Sequence, residues 1–188
     1  MRDVGLAHAV QSAGRRELEG AAVAAASRES IEAVVEIVRG SRNKYEINEK
    51  TGAVHLDRVL YSSVHYPTDY GFIPETLAED GDALDVLIVV QEPTIPGCHV
   101  QVRPLGMLEM SDEKGLDHKI VAVPVADPRF SGMRRLSDLA EHWLLEIRTF
   151  FLTYKILENK PTEVGDWHDL DRAWQTIRES EERYASER

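Results

Sequence analysis

The sequence holds one cysteine, Cys98, in 188 residues, so no disulfide can close within the chain and nothing in it calls for an oxidising compartment. Long apolar runs are also missing. The longest uninterrupted aliphatic stretch, Val86 to Val90, falls far short of the about 20 residues that a spanning helix needs, so no membrane partner is expected. Positive charge is scarce: 22 Lys and Arg stand against 33 Asp and Glu, a net charge of −11 that repels phosphate backbones and anionic headgroups. Nucleic acid is therefore not an expected partner. There is no internal repeat and no low-complexity tract. With 43% hydrophobic and 29% charged residues, the chain has the composition of an ordinary globular protein, and the cytoplasm is its expected location.

What is there divides into three stretches. Residues 1–30 are rich in alanine and mixed in charge (Arg2, Arg15, Arg16 and Arg28 against Asp3, Glu17, Glu19 and Glu29), with few bulky apolar side chains. They read as an N-terminal extension, mobile or partly helical, without the continuous apolar centre of a secretory signal and too acidic for an organellar transit peptide. Residues 31–188 form the domain. Up to about Arg129, short apolar or alternating runs broken by turn residues predict antiparallel strands at Val34–Val38, Lys44–Ile47, Val54–Val64, Asp85–Val90, His99–Met107 and Lys119–Val125. Strands at this spacing suggest a small barrel. Beyond Arg129 the period changes: Leu136, Leu139, Trp143, Ile147, Phe150 and Tyr154 mark one face of a long helix, with Ser137 or Asp138 as its cap. A shorter helix follows Gly165, carrying Leu170, Trp174, Ile177 and Tyr184 on one side. Strands first and helices after predict an α+β fold with two C-terminal helices.

The chemistry concentrates in Glu79-Asp80-Gly81-Asp82-Ala83-Leu84-Asp85, at the entry to the apolar run. Carboxylates this close repel one another, and a divalent cation with a taste for oxygen, such as magnesium, calcium or manganese, relieves the repulsion. A solvated acidic turn is the plain alternative. The calcium-loop template fails, because Asp85 stands where that loop requires glycine. A second acidic set, Asp112 to Lys119, lies between two predicted strands. Alone it is a polar hairpin, whereas two acidic loops at one end of a barrel could share a multi-metal centre. Lys44, Arg58, Lys119 and Lys155, with Tyr66, Tyr70 and Tyr154, are the cations and phenols that would suit a substrate rich in phosphoryl oxygens, but composition alone nominates none of them.

The order of motifs goes further. Glu36 in Val-Glu-Ile, Asn43-Lys44-Tyr45-Glu46, Leu56-Asp57-Arg58, His65 to Pro74, Asp80 to Asp85, Arg103-Pro104-Leu105-Gly106, Asp112-Glu113 with Asp117 and Lys119, and Phe150-Phe151 before Tyr154-Lys155 closely resemble the family I soluble inorganic pyrophosphatases of bacterial type. The resemblance runs from about Ile31 to Tyr184. It implies a small, OB-like barrel of five strands with flanking helices, and magnesium-dependent hydrolysis of pyrophosphate to two phosphates by in-line attack of a metal-activated water. It also implies residue roles. Asp80, Asp85, Asp112 and Asp117 are metal ligands, with manganese or another divalent cation as a substitute, and Asp82 is the general base. Lys44, Arg58, Tyr70, Lys119, Tyr154 and Lys155 grip pyrophosphate and product phosphate, and Glu36, Glu46 and Tyr66 form a supporting shell. A homohexamer is the expected assembly. Val38, Ala83 and Leu116 depart from the family's pattern, and Leu116 removes one acid from the edge of the site. The competing functions are a hydrolase of nucleotides or longer polyphosphates, and an OB-type nucleic-acid binder, which the charge of −11 opposes.

Overall fold

Ile31, Ala33, Val35 and Ile37 alternate with Glu32 and Glu36, and this period of two makes Ile31–Ile37 the first strand, β1, with its apolar positions buried. The computed structural model describes residues 28–112, 115–160 and 162–187. In chain order β1 is followed by β2 (Asn43–Ile47), β3 (Val54–Val59), β4 (Asp69–Phe72), β5 (Asp85–Ile88), β6 (His99–Asp112), β7 (Gly115–Leu116) and β8 (Lys119–Pro124). Helix α1 (Glu141–Thr153), strand β9 (Thr162–His168) and helix α2 (Leu170–Ser186) complete the chain. The extension read over residues 1–30 lies outside the described residues as far as residue 27, as do Glu113 and Lys114 of the second acidic turn.

Five strands close a ring in the order β1-β4-β5-β8-β6, and β6 pairs back onto β1 with Ile31 opposite Val102. Closure leaves the ring without a free edge. The result is the expected α+β, OB-like barrel with two C-terminal helices, with one difference in pairing. β5 and β8 run parallel, with Asp85 opposite Lys119, whereas the alternating pattern predicts antiparallel neighbours throughout. Consecutive positions of β5 feed two cores. Leu87 packs with Ile147, Phe150 and Phe151 of α1, and Val86 and Ile88 pack with Ala173 and Ile177 of α2. Burial on both faces is why this strand is a continuous apolar run rather than an alternating one. Among the described residues no helix is long and apolar enough to cross a membrane.

Other departures have local causes. β4 has no alternating pattern because all four of its residues are buried. Gly71 at its centre is obligatory, since a Cβ there would stand 1.9 Å from the carbonyl oxygen of Val34 on β1. β3 ends at Val59 rather than Val64, and β6 runs past Met107 to Asp112. The helix expected to be the longer is the shorter, 13 residues in α1 against 17 in α2, and it begins only at Glu141 because the Asp138 carboxylate is already engaged: it accepts the N–H groups of Arg134 (2.8 Å) and Arg135 (3.1 Å) and closes a 3-10 turn over Leu136–Asp138. Leu139 then takes an extended conformation, and Ala140 precedes the helix with no side-chain cap. For α2 the cap is Asp169, whose carboxylate accepts Arg172 N–H at 3.1 Å.

Candidate active site

Between β4 and β5 the acidic loop is held by its own backbone and by Thr76. Ala78 N–H donates to Asp82 O (2.7 Å), Leu84 N–H to Thr76 Oγ1 (2.9 Å), and Ile73 N–H to Leu84 O (2.9 Å). Gly81 makes the turn with φ of 89°, a left-handed value that suits glycine. This folding brings Asp80 and Asp82 together, with Asp82 N–H donating to Asp80 Oδ1 at 3.2 Å, and puts Asp85 at the start of β5. The parallel register of β5 and β8 then sets Lys119 beside Asp85. Lys119 is 2% exposed, and its ammonium donates to both Asp85 and Asp117, while the Tyr70 hydroxyl donates to Asp85. Asp117 is fixed from behind by its N–H, which donates to Met110 O at 2.8 Å.

The hairpin β2–β3 supplies the facing wall. Lys44 pairs with Arg58 across the hairpin, and its Nζ reaches Glu46 at 2.7 Å and Asp57 at 3.2 Å. Glu36 on β1 ties this hairpin to the barrel, its Oε1 accepting Ile47 N–H at 2.9 Å. From the end of α1 come Tyr154, stacked on Phe150, and Lys155, whose Nζ lies 2.8 Å from Asp112 Oδ2. Lys155 is 7% exposed, so the plain reading of a lysine facing water at a helix end does not describe it. Tyr66 packs on Phe150 and Tyr70 beneath the site.

All these elements open on one cavity of about 600 Å³. Its lining includes Glu36, Lys44, Glu46, Arg58, Tyr66, Tyr70, Asp80, Asp82, Asp85, Asp112, Asp117, Lys119, Tyr154 and Lys155, so the fourteen residues to which the resemblance gives a role line the same space. Glu49, Asp57 and Lys160 line it as well and were not singled out. Asp57 could have been found, because it directly precedes Arg58 in the quoted motif Leu56-Asp57-Arg58. For Glu49 and Lys160, in a turn and at the end of an irregular segment, the sequence offers no signal.

The electrostatics follow from crowding. Burial, then repulsion by Asp117 and Asp82, raises the Asp80 carboxyl above the usual carboxylate range. Burial and Asp117 raise Asp85 likewise, against the pull of Lys119. Burial alone would lower Lys119, but Asp85 and Asp117 more than offset it and hold the ammonium charged. Burial pushes up all three phenols, Tyr66, Tyr70 and Tyr154, so each keeps its proton and can donate it in a hydrogen bond. Burial raises the Glu36 carboxyl to about 7.

No three acidic, histidine or cysteine side chains among the described residues are drawn to a single point as a bound metal ion would require. Asp85 and Asp117 turn instead to the ammonium of Lys119. The donor set nonetheless fits a hard divalent cation: several carboxylates line one cavity, and two already share a positive charge.

An OB-like barrel carrying one cavity in which carboxylates interleave with lysine, arginine and phenol groups fits a hydrolase of the phosphoanhydride-cleaving class. The model of the inorganic pyrophosphatase family matches residues 33–185. Inorganic pyrophosphatase from Synechocystis sp. is 49% identical over 154 residues, covering 82% of this chain and 91% of that one, and its counterpart from Halalkalibacterium halodurans is 51% identical, covering 82% and 94%. The crystal structure of inorganic pyrophosphatase from Thermus thermophilus superposes with a TM-score of 0.81 at 44% identity, covering 85% of this chain and 93% of that one. The chain belongs to the inorganic pyrophosphatase family, in its soluble family I with bacterial members, and is an enzyme that hydrolyses inorganic pyrophosphate.

Proposed function

We propose that the chain hydrolyses pyrophosphate to two orthophosphates with magnesium as its cofactor, by in-line attack of water at one phosphorus, and that the residues facing the cavity divide this work. Magnesium, when bound, neutralises phosphoryl oxygens and lowers the pKa of water, and manganese is the expected substitute. Asp80, Asp85, Asp112 and Asp117 are the oxygen donors that hold it. Asp82 takes the proton of the attacking water, and the tie from its backbone to Asp80 keeps it beside those donors. Lys44, Arg58, Tyr70, Lys119, Tyr154 and Lys155 bind the phosphoryl oxygens of substrate and product. Arg58 and Lys155 balance the charge that builds on the leaving phosphate. Glu36, Glu46 and Tyr66 support them, Glu36 by anchoring the hairpin that carries Lys44 and Arg58.

The observation that carries this reading is the convergence of the fourteen positions, from Glu36 to Lys155, on one cavity in which acids, cations and phenols are interleaved. The test is phosphate release from pyrophosphate and from ATP, each with magnesium and with a chelator. Release from pyrophosphate that needs magnesium and greatly exceeds release from ATP is expected. Equal or faster release from ATP would overturn the substrate, and undiminished release in chelator would overturn the cofactor. The same reading takes residues 1–30 as an extension outside the catalytic domain, the cytoplasm as the location, and a homohexamer as the assembly, for which light scattering is the check.

A further inference from the structure

Glu158 is a buried acid to which the reading above gives no task. It closes the 3-10 turn Ile156–Glu158 directly after Tyr154 and Lys155, and Asn159, with φ of 53°, ends that turn in the left-handed region. Its side chain is 6% exposed, and its Oε2 lies 3.4 Å from Nε of Arg58 on β3, an ion pair in which Nε makes no hydrogen bond. Arg58 lines the cavity and Glu158 does not. At its other end the guanidinium donates from Nη1 to Asp57 Oδ2 at 2.8 Å, and Asp57 does line the cavity. Arg58 is therefore held by two carboxylates, one in the cavity wall and one outside it.

An arginine side chain has several freely rotating bonds, and on a hairpin whose strand is largely exposed it has room to use them. A carboxylate at the Nε edge restrains where the guanidinium lies without itself occupying the terminal nitrogens. Burial opposes the charge on Arg58, and Glu158 is the strongest of the neighbouring charges that sustain it.

We propose that Glu158 is a positioning residue for Arg58, holding the guanidinium at Nε so that its terminal nitrogens address the phosphoryl oxygens of the substrate. The proposal rests on the reading of Arg58 as a substrate contact. Glu158 touches no substrate and acts only through Arg58, so its effect must vanish when the guanidinium is gone.

The experiment is a double-mutant cycle on the full chain. It measures kcat and KM for pyrophosphate at saturating magnesium, with a thermal melt for each variant. Glu158→Gln is expected to lower kcat/KM about 5- to 30-fold in the wild-type background, and to lower it less than about twofold further in an Arg58→Gln background. Glu158→Asp, which keeps the charge, is expected to recover part of the loss. If Glu158→Gln does not fold, Glu158→Asp replaces it in the same cycle, with a smaller loss and the same expected coupling. Losses that multiply, with Glu158→Gln costing the same factor in both backgrounds, would overturn the proposal, as would full activity of a folded Glu158→Gln. Full activity of Arg58→Gln would be a separate failure, because it removes the reading of Arg58 itself and the positioning role with it.

Discussion

Replacing Lys119 by methionine isolates the charge at the centre of the site. Methionine keeps the length and flexibility of the side chain and removes only the ammonium. Asp85 and Asp117 then lose their shared counter-ion in a place where their side chains are 23% and 13% exposed. Removing one partner of a buried pair costs about 3 to 5 kcal/mol. The lower end applies here, because water still reaches Asp85. For a chain of this length each kcal/mol moves Tm by about 2–4 °C, so a drop of about 6–12 °C is expected in EDTA at neutral pH. The drop should shrink as pH falls, since Asp85, already raised by burial and by Asp117, takes up a proton once the ammonium is gone. Added magnesium should stabilise Lys119→Met more than the wild type, because the cation then meets two carboxylates that no ammonium has neutralised. Scanning calorimetry in EDTA and across a magnesium series measures both effects. A variant melting within about 2 °C of wild type in EDTA, or gaining no more from magnesium, would refute the reasoning.

Two further predictions follow from the same geometry. Lys155→Gln should lose about 10- to 150-fold in kcat/KM with the fold intact, the value of a charge-assisted contact to a phosphoryl oxygen, and a folded variant with full kcat/KM would remove Lys155 from the site. Glu36 binds its proton more tightly in the folded chain, with its carboxyl raised by burial from 4.5 to about 7. Its contribution to stability is therefore fully present below pH 4.5 and is lost as pH rises through about 7. Glu36→Gln should flatten the decline in unfolding free energy across that window, measured by urea titration in EDTA, and an unchanged slope would count against it.

Much of this was legible in the sequence, and the limits are physical. The alternating pattern of β1 and the apolar run of β5 are set by burial within their own elements, so they can be read locally. β9 was missed because Thr162–His168 contains Gly165 and has no regular alternation, and its partners come from elsewhere: Met107 of β6 lies opposite His168, and Arg148 of α1 donates to Gly165 O at 2.6 Å. The extension of β6 to Asp112 has the same origin, since its last residues pair with β7 and β9. The parallel pairing of β5 with β8 decides that Lys119 meets Asp85, and strand order is not written in local periodicity. The acidic loop stood out as a cluster, but bringing Tyr70, Lys119 and Lys155 to it needed either the barrel or the ordered motifs of a family. Glu158 escaped both, because its partner Arg58 lies a hundred positions earlier in the chain.

The measurement closest to the central claim compares Asp85→Asn with Asp82→Asn across a magnesium series. If Asp85 is a donor to the metal centre and Asp82 the proton acceptor beside it, Asp85→Asn should lose more turnover and should not regain the wild-type rate at any magnesium concentration. Asp82→Asn should retain more activity, with a magnesium dependence close to wild type. Full recovery of Asp85→Asn in excess magnesium, or a deeper loss in Asp82→Asn, would contradict the account.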